Sequence, residues 1–309
     1  MKTSIPLAYA FLAIASVGGS AQPAQAQLQS RPVPNDGVES FTFQSPSMGF
    51  RYSINVGFPQ GYKAGDGKKY PALIVTDGDS TFANVHQSAK TLGGAIRPLF
   101  IISIGTSLDE GEALHTSRRI YEFSPPGWDR KDAFGKRVEG FCKTFKSPEG
   151  RCTGGAAKFL KAISAEMIPV LAEKYPIDTT QLGLFGLSAG GFFTSWAIFQ
   201  PETPFTKYII SSPAMAYGNG EIFRQEAAYA KDHKDLPVGV YLASGVLEAS
   251  DPMLEGMGEI VSGMTHLAGT LASRNYPGLK MVIEYHPGMG HMDVMGTSVV
   301  RGLRSLYAK

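Results

Sequence analysis

The chain switches between two hydrophobic rhythms, and the order of the switches predicts its architecture. Phe41-Thr-Phe-Gln44 and Arg51-Tyr-Ser-Ile-Asn-Val56 alternate as half-buried antiparallel strands, with Ser45-Pro-Ser-Met-Gly49 as the turn between them. Tyr70–Val75, running into a turn at Gly78, and Leu99–Ile104 are continuous apolar runs, the pattern of strands covered on both faces. Asn84–Ile96 between them has helical spacing. Ala156–Tyr175 sets Phe159, Ile163, Met167 and Leu171 four apart on one helical face, and Pro169 is expected to kink it. Gln181–Leu187, Phe205–Ser212, Val238–Ser244 and Lys280–Tyr285 read as further strands. Glu221–Ala230, Leu254–Arg274 and Val294–Tyr307 read as helices. Strands and helices alternate without an internal repeat, so the fold class expected is α/β: a mostly parallel central sheet covered by helices on both faces.

Two stretches fall outside this pattern. Met1-Lys2, an apolar run from Ile5 to Val17 and the small-x-small Ala24-Gln25-Ala26 form a secretory signal, too short for a membrane span, with cleavage expected after Ala26. The mature chain, residues 27–309, is expected to be one domain in the periplasm or outside the cell, opening on a flexible polar lead-in from Gln27 to Glu39. The second stretch, residues 111–155, shows no clear periodicity. A long irregular segment inside a compact domain is usually a functional loop, and it is expected to act as an inserted lid.

Charge and cysteines narrow the function. The formal net charge is +2, and no stripe of Lys and Arg marks a nucleic-acid surface. Cys142 and Cys152 are the two cysteines, and in an exported chain so close a pair is expected to form a local disulfide. No histidine or further cysteine lies at ligand spacing from them, so no metal is expected, and no organic cofactor.

The chemistry is carried by Gly186-Leu187-Ser188-Ala189-Gly190, a G-x-S-x-G placed between a strand and a helix. That context is the nucleophile elbow of α/β-hydrolases, in which a serine sits on a sharp strand-to-helix turn. Glycines two residues either side remove backbone collisions, and the Ala189 N–H at the new helix start can donate to an oxyanion. The base is expected from the loop after the last strand, which holds His286 and His291. His291, flanked by glycine in Gly288-Met-Gly-His-Met-Asp293, is preferred. The acid belongs just past Val238–Ser244, where Glu248 and Asp251 both stand; a Ser-His dyad is the alternative. The turn Asp77-Gly78-Asp79-Ser80 is expected to supply the second oxyanion donor, the Asp79 N–H, with Asp77 in a structural role. Arg118 and Arg119 are candidates to meet an anionic or aromatic substrate group, or to form structural salt bridges. Trp128, with Phe134, Phe141 and Phe145 among basic residues, suits a covering role over such a substrate.

Together these pieces resemble the esterase D family, which contains siderophore esterases, mycolyltransferases and feruloyl esterases. The shared segments are Thr76-Asp77-Gly78-Asp79, Arg118-Arg-Ile-Tyr-Glu-Phe-Ser-Pro125, Gly154-Gly155 through Ile168-Pro169, Gly186–Gly191, Ser212-Pro213, Gly245-Val-Leu-Glu248 and Gly290-His291 leading into Arg301-Gly-Leu303. The resemblance covers nearly the whole mature chain and is strongest to the siderophore branch. It implies Ser188 as nucleophile, His291 as base, Glu248 as acid, Asp79 and Ala189 as oxyanion donors, and a small-molecule ester as substrate. Gly127–Thr153 is longer than that pattern. An acyltransferase on the same site, a non-catalytic binding protein and a peptidase are the competing functions.

Overall fold

The computed structural model describes residues 28–31, 37–106, 111–147 and 150–309; the signal sequence expected over residues 1–26 lies outside them. A nine-stranded sheet runs in the order β1 (Leu28–Arg31), β2 (Val38–Gln44), β3 (Arg51–Gly57), β5 (Phe100–Thr106), β4 (Tyr70–Val75), β6 (Ile177–Leu187), β7 (Phe205–Ser211), β8 (Gly239–Gly245) and β9 (Lys280–His286). β1, β2 and β3 form an antiparallel meander, and β3 joins β5 antiparallel. From β5 to β9 every pairing is parallel. The lead-in expected to be flexible therefore contributes β1, its backbone paired to β2 from Leu28↔Phe43 to Arg31↔Ser40.

The apolar strands are buried on both faces, as their composition requires. On β4, Ala72 and Ile74 pack into one core while Leu73 and Val75 pack into the other. The larger core lies under α4 (Ala156–Ala162), α5 (Ile168–Lys174), α6 (Ala189–Ala197) and α8 (Ile260–Arg274). The smaller lies under α1 (Gly78–Leu92) and α9 (Val294–Tyr307). This is the α/β-hydrolase fold. α7 (Glu221–Asp232) stands beside α6. β9 ends the sheet, and Val282, Ile283 and Tyr285 on it are exposed. No helix among the described residues is long and apolar enough to cross a membrane.

Several elements differ from the sequence pattern for identifiable reasons. α1 begins at Gly78, ahead of the expected Asn84, because its first turn is built from polar contacts: the Thr81 hydroxyl donates toward the Thr76 carbonyl (2.7 Å) and the Asp77 carbonyl (2.9 Å). α8 starts late, at Ile260. Glu259 turns the chain in the left-handed region (φ 50°), and the Glu255 carboxylate caps the new helix by accepting from Val261 N at 2.8 Å. Between α4 and α5 the helix passes through a π turn, Ile163–Met167, just before Pro169, which absorbs the missing N–H and the ring.

The largest correction concerns residues 111–155. The segment holds two helices, α2 (Glu112–Phe123) and α3 (Ala133–Thr144), and the bridge Cys142–Cys152. α2 hides its period because its buried face carries charge: Arg118 and Glu122, one turn apart, are buried beside Ile120, Tyr121 and Phe123. α3 contains Gly135 and Gly140, which weaken its helix signal, and its start is fixed by Asp132, whose carboxylate accepts from Gly135 N at 2.8 Å.

Candidate active site

β6 ends at Leu187 and α6 begins at Ala189, leaving Ser188 alone at the corner with φ 61° and ψ −120°. Such a backbone costs a non-glycine residue about 1–3 kcal/mol and persists only where its surroundings impose it. Here they do. Ser188 N donates to Ser211 O (3.0 Å), while its carbonyl accepts from Phe192 N (2.9 Å) and Ala214 N (3.0 Å). A Cβ at Gly186 would lie 2.1 Å from the Gly190 carbonyl oxygen, so the corner can be this tight only with glycine there. Ala189, the first residue of α6, contributes a backbone N–H that the helix itself leaves without a partner.

The next two parallel strands bring an acid to this corner. Glu248 lies in a short turn of 3₁₀ helix, Val246–Ser250, directly after β8, and is 1% exposed. Its Oε2 accepts from Gly245 N (2.7 Å) and from the Ser212 hydroxyl (2.8 Å), and its Oε1 is paired with His291 Nδ1. Two donors plus an imidazole satisfy a carboxylate that would otherwise be costly to bury. With Nδ1–H donating to Glu248, His291 is held in the tautomer that leaves Nε2 as an acceptor. Of the two candidate acids, Glu248 and not Asp251 is the one bonded to His291. Asp251 accepts from Met253 N (2.8 Å) and Leu254 N (2.9 Å), and those bonds hold its carboxyl below the usual range. The alternative base, His286, faces Tyr241 Oη (3.3 Å) and Glu284 (3.7 Å) instead. Ser212 was given no role by sequence reasoning. Its one signal is the Ser-Ser-Pro spelling after β7, with a left-handed Ser212 (φ 43°).

On the other side of the corner, Asp77 is left-handed (φ 54°, ψ 42°) and starts α1, so Asp79 sits in that helix's first turn. Arg119 clamps the arrangement. It donates to both Asp77 carboxylate oxygens (2.7 and 3.0 Å) and to the Leu187 carbonyl (3.4 Å), tying the Asp77 turn to the serine corner. The Asp79 carboxylate is packed over Gly105 with Oδ2 buried and unbonded, and His115 Nε2 is 3.8 Å away. Burial pushes its pKa up, an effect the nearby His115 only partly offsets.

Of the three candidates for substrate contact, Arg118 and Trp128 are buried and Arg119 is partly exposed, and both arginines form the salt bridges that were their alternative role. Arg118 is 1% exposed, donates to the Arg51 carbonyl (2.9 Å), pairs with Glu122 (3.3 Å) and lies between the Phe50 and Tyr52 rings. It is a core anchor. Arg119 is spent on Asp77. Trp128 is buried, its Nε1 donating to Asp132 (2.9 Å) and its ring packed on Phe134 and Tyr217. Their contacts nevertheless trace a path. Residues 111–155 leave β5 and touch, in turn, Asp77 after β4, Leu187 at the end of β6, Tyr217 after β7 and, through Arg137, Met253 after β8. The insertion thus steps over the carboxyl ends of four neighbouring strands. Among the described residues no group of His, Cys, Asp and Glu is arranged to hold a metal.

Residues 45–235 match the family model Esterase, described as "Putative esterase". That stretch is more than half of the chain and contains the serine corner, though it stops short of Glu248 and His291. The chain belongs to this esterase family. It is a carboxylic ester hydrolase. This esterase is 25% identical over 242 residues to the ferri-bacillibactin esterase BesA of Bacillus subtilis (strain 168), covering 76% of this chain and 78% of that one. It is 26% identical over 190 residues to the siderophore enterobactin esterase of Emericella nidulans, covering 56% and 57%. In three dimensions it is similar to the BES protein from Bacillus cereus, with TM-score 0.72 and 25% identity over 91% of this chain and 100% of that one.

Proposed function

We propose that this esterase is an exported serine hydrolase that cleaves a siderophore-like lactone or a bulky aromatic ester through an acyl-enzyme. His291 Nε2 takes the proton of Ser188 as Oγ attacks the ester carbonyl carbon. The negative charge that develops on the carbonyl oxygen is met by the Ala189 and Asp79 N–H groups, each such donor typically worth about 3 kcal/mol of barrier. His291 then returns the proton to the departing alcohol, and a water activated by the same imidazole releases the acid. Glu248 keeps the imidazole oriented and stabilises its charged form.

The observation that carries this reading is the buried Glu248 bonded at once to His291, Ser212 and Gly245 beside the strained Ser188. Nothing in a purely structural turn calls for a fully buried carboxylate facing a partly exposed histidine. The substrate class is supported by the names of the two curated relatives. Export is supported by the apolar leader and by the disulfide.

The test combines labelling with turnover. A fluorophosphonate should label the wild type at Ser188, and Ser188→Ala should lose both the label and about 10⁴-fold or more of ester hydrolysis while keeping its thermal transition. A Ser188→Ala protein that still turns over esters would overthrow the assignment. A panel of macrocyclic lactones, aryl esters and short acyl esters then ranks the substrate classes.

A further inference from the structure

The basic charge of this esterase is concentrated in the insertion. Between Gly127 and Thr153 there are seven Lys and Arg and four Asp and Glu, in a chain whose formal net charge is only +2. Most of those cations are engaged. Lys131 pairs with Asp129 (3.1 Å), Lys143 with Glu139 (2.9 Å), Arg130 donates to Thr153 (2.6 Å) and Arg151 lies over the Phe50 ring.

Arg137 is set differently. Its Nη2 reaches the Met253 sulfur at 3.7 Å, and its guanidinium lies 5.3 Å from the Phe141 ring centroid. No carboxylate pairs with it among the described residues. A thioether is a weak acceptor, so most of the five N–H donors of this guanidinium remain open to a better one. Its surroundings are the mouth of the site. Met253 N donates to the Asp251 carboxylate (2.8 Å) and Asp251 N donates to the Glu248 carbonyl (3.1 Å), so Met253 stands in the turn that continues from the acid. Leu247 N donates to Met289 O (3.1 Å), joining the Glu248 turn to the His291 loop. Phe141, Leu247, Met253 and Met292 are all exposed, Met292 by 66%. A single open guanidinium therefore stands in an apolar rim where the insertion meets the acid and base loops.

We propose that Arg137 is a specificity-determining residue, which binds a planar anionic group such as a carboxylate on an aryl or alkyl part of the substrate remote from the ester cleaved. The planar fork of arginine matches two anionic oxygens, and the exposed apolar side chains around it hold the body that carries them. This inference rests on the serine-esterase reading of the same site. It moves anion recognition from Arg118 and Arg119, which the fold consumes, to a neighbour on α3.

The experiment compares two 4-nitrophenyl esters of equal chain length, one ending in a methyl group and one in a carboxylate. The ratio of their kcat/KM values is read for wild type, Arg137→Gln, Arg137→Lys and Arg137→Glu at low and high salt. The anionic-over-neutral ratio should fall about tenfold in Arg137→Gln through KM, stay partly intact in Arg137→Lys and fall further in Arg137→Glu. Salt should lower the ratio in wild type and leave it flat in Arg137→Gln. Binding without turnover gives an independent readout: 4-phenylbutyrate should bind Ser188→Ala about tenfold more tightly than it binds Ser188→Ala/Arg137→Gln. Equal losses on both esters, with no salt effect, would reduce Arg137 to a structural contact and overturn the proposal. So would 4-phenylbutyrate binding Ser188→Ala no better than its uncharged amide. If carboxylate binding depends on Arg137 while neither ester is turned over, the anion site stands and the serine-esterase reading falls.

Discussion

The loops that follow β6, β8 and β9 and the insertion that follows β5 both stand over the carboxyl ends of parallel strands, yet they spend their polar groups in opposite ways. In the first region the polar side chains point at one another across the site: Glu248 faces His291, with Ser212 and Gly245 behind it. In the second they point down into the fold. Arg118 is buried with Glu122 and the Arg51 carbonyl, Arg119 grips Asp77, and Trp128 is bonded to Asp132. In the proposed reaction the first region carries the reactive groups, and the second holds the backbone beneath them in register. Arg137, at the outer margin of the insertion, is neither buried nor paired with a carboxylate among the described residues.

If that division is right, substitutions in the two regions separate activity from stability. The largest effect belongs to the acid. Glu248→Gln should lower kcat by about 10²–10⁴-fold, since the amide cannot stabilise the imidazolium, whereas Asp251→Asn should change it less than about threefold. Comparable losses from both, measured on one aryl ester, would erase the distinction between acid and turn residue. Next comes Arg118→Met, which takes the cation from the buried Glu122 carboxylate and leaves it the Tyr52 hydroxyl; it should cost about 3–5 kcal/mol in denaturant unfolding. Its neighbour should behave in the opposite sense. Arg119→Met, at a side chain 28% exposed, should cost less stability but lower kcat more, because the Asp77 turn is no longer tied to Leu187.

Smaller shifts sharpen the picture. Replacing both Cys142 and Cys152 with serine removes the bridge over a short loop and should cost about 2–3 kcal/mol of stability. Turnover of a small aryl acetate should survive that change, while KM for a bulky ester rises. Asp79→Asn should act in the other direction. Burial raises the folded-state pKa of Asp79 above the ordinary aspartate value, so the native state holds that proton more tightly than the unfolded chain does. Its contribution to stability is present at low pH and is lost as pH rises through the folded value. The uncharged amide should therefore raise the melting temperature by about 2 °C at neutral pH and not at all at pH 3.

How much of this could be read from the chain depended on what kind of signal each part used. β4, β5 and β6 were legible because a strand buried on both faces must be apolar at every position. Ser188 was legible because only glycines at Gly186 and Gly190 fit around so tight a corner. The Glu248–His291 pairing was half legible: chain order narrowed the acid to two residues, and only the three-dimensional bond to His291 chose between them. α2 and α3 were not legible. In α2 the Arg118–Glu122 pair sits within the apolar face formed by Ile120, Tyr121 and Phe123 and disguises it, and in α3 Gly135 and Gly140 lower the helix propensity. For the same reason Arg118 and Trp128 read as surface chemistry, because a charged or amphipathic side chain gives no sign in sequence of having found its partner indoors.

The far rim of the sheet gives this fold a colloidal aspect. Beyond β9 no strand among the described residues covers the outer row of backbone groups, and Val282, Ile283 and Tyr285 are exposed along it. Such a rim is a template on which a second extended chain can grow. Lys280 and Glu284 are the charges that discourage it. Glu284 is fixed by Arg301 of α9 (2.9 Å) and by the Tyr241 hydroxyl (2.7 Å), which bring its pKa down to about 2. Its charge therefore survives well into acid, for as long as α9 stays docked against β7 and β8. The charge that guards this rim is in that sense held in place by the C-terminal helix.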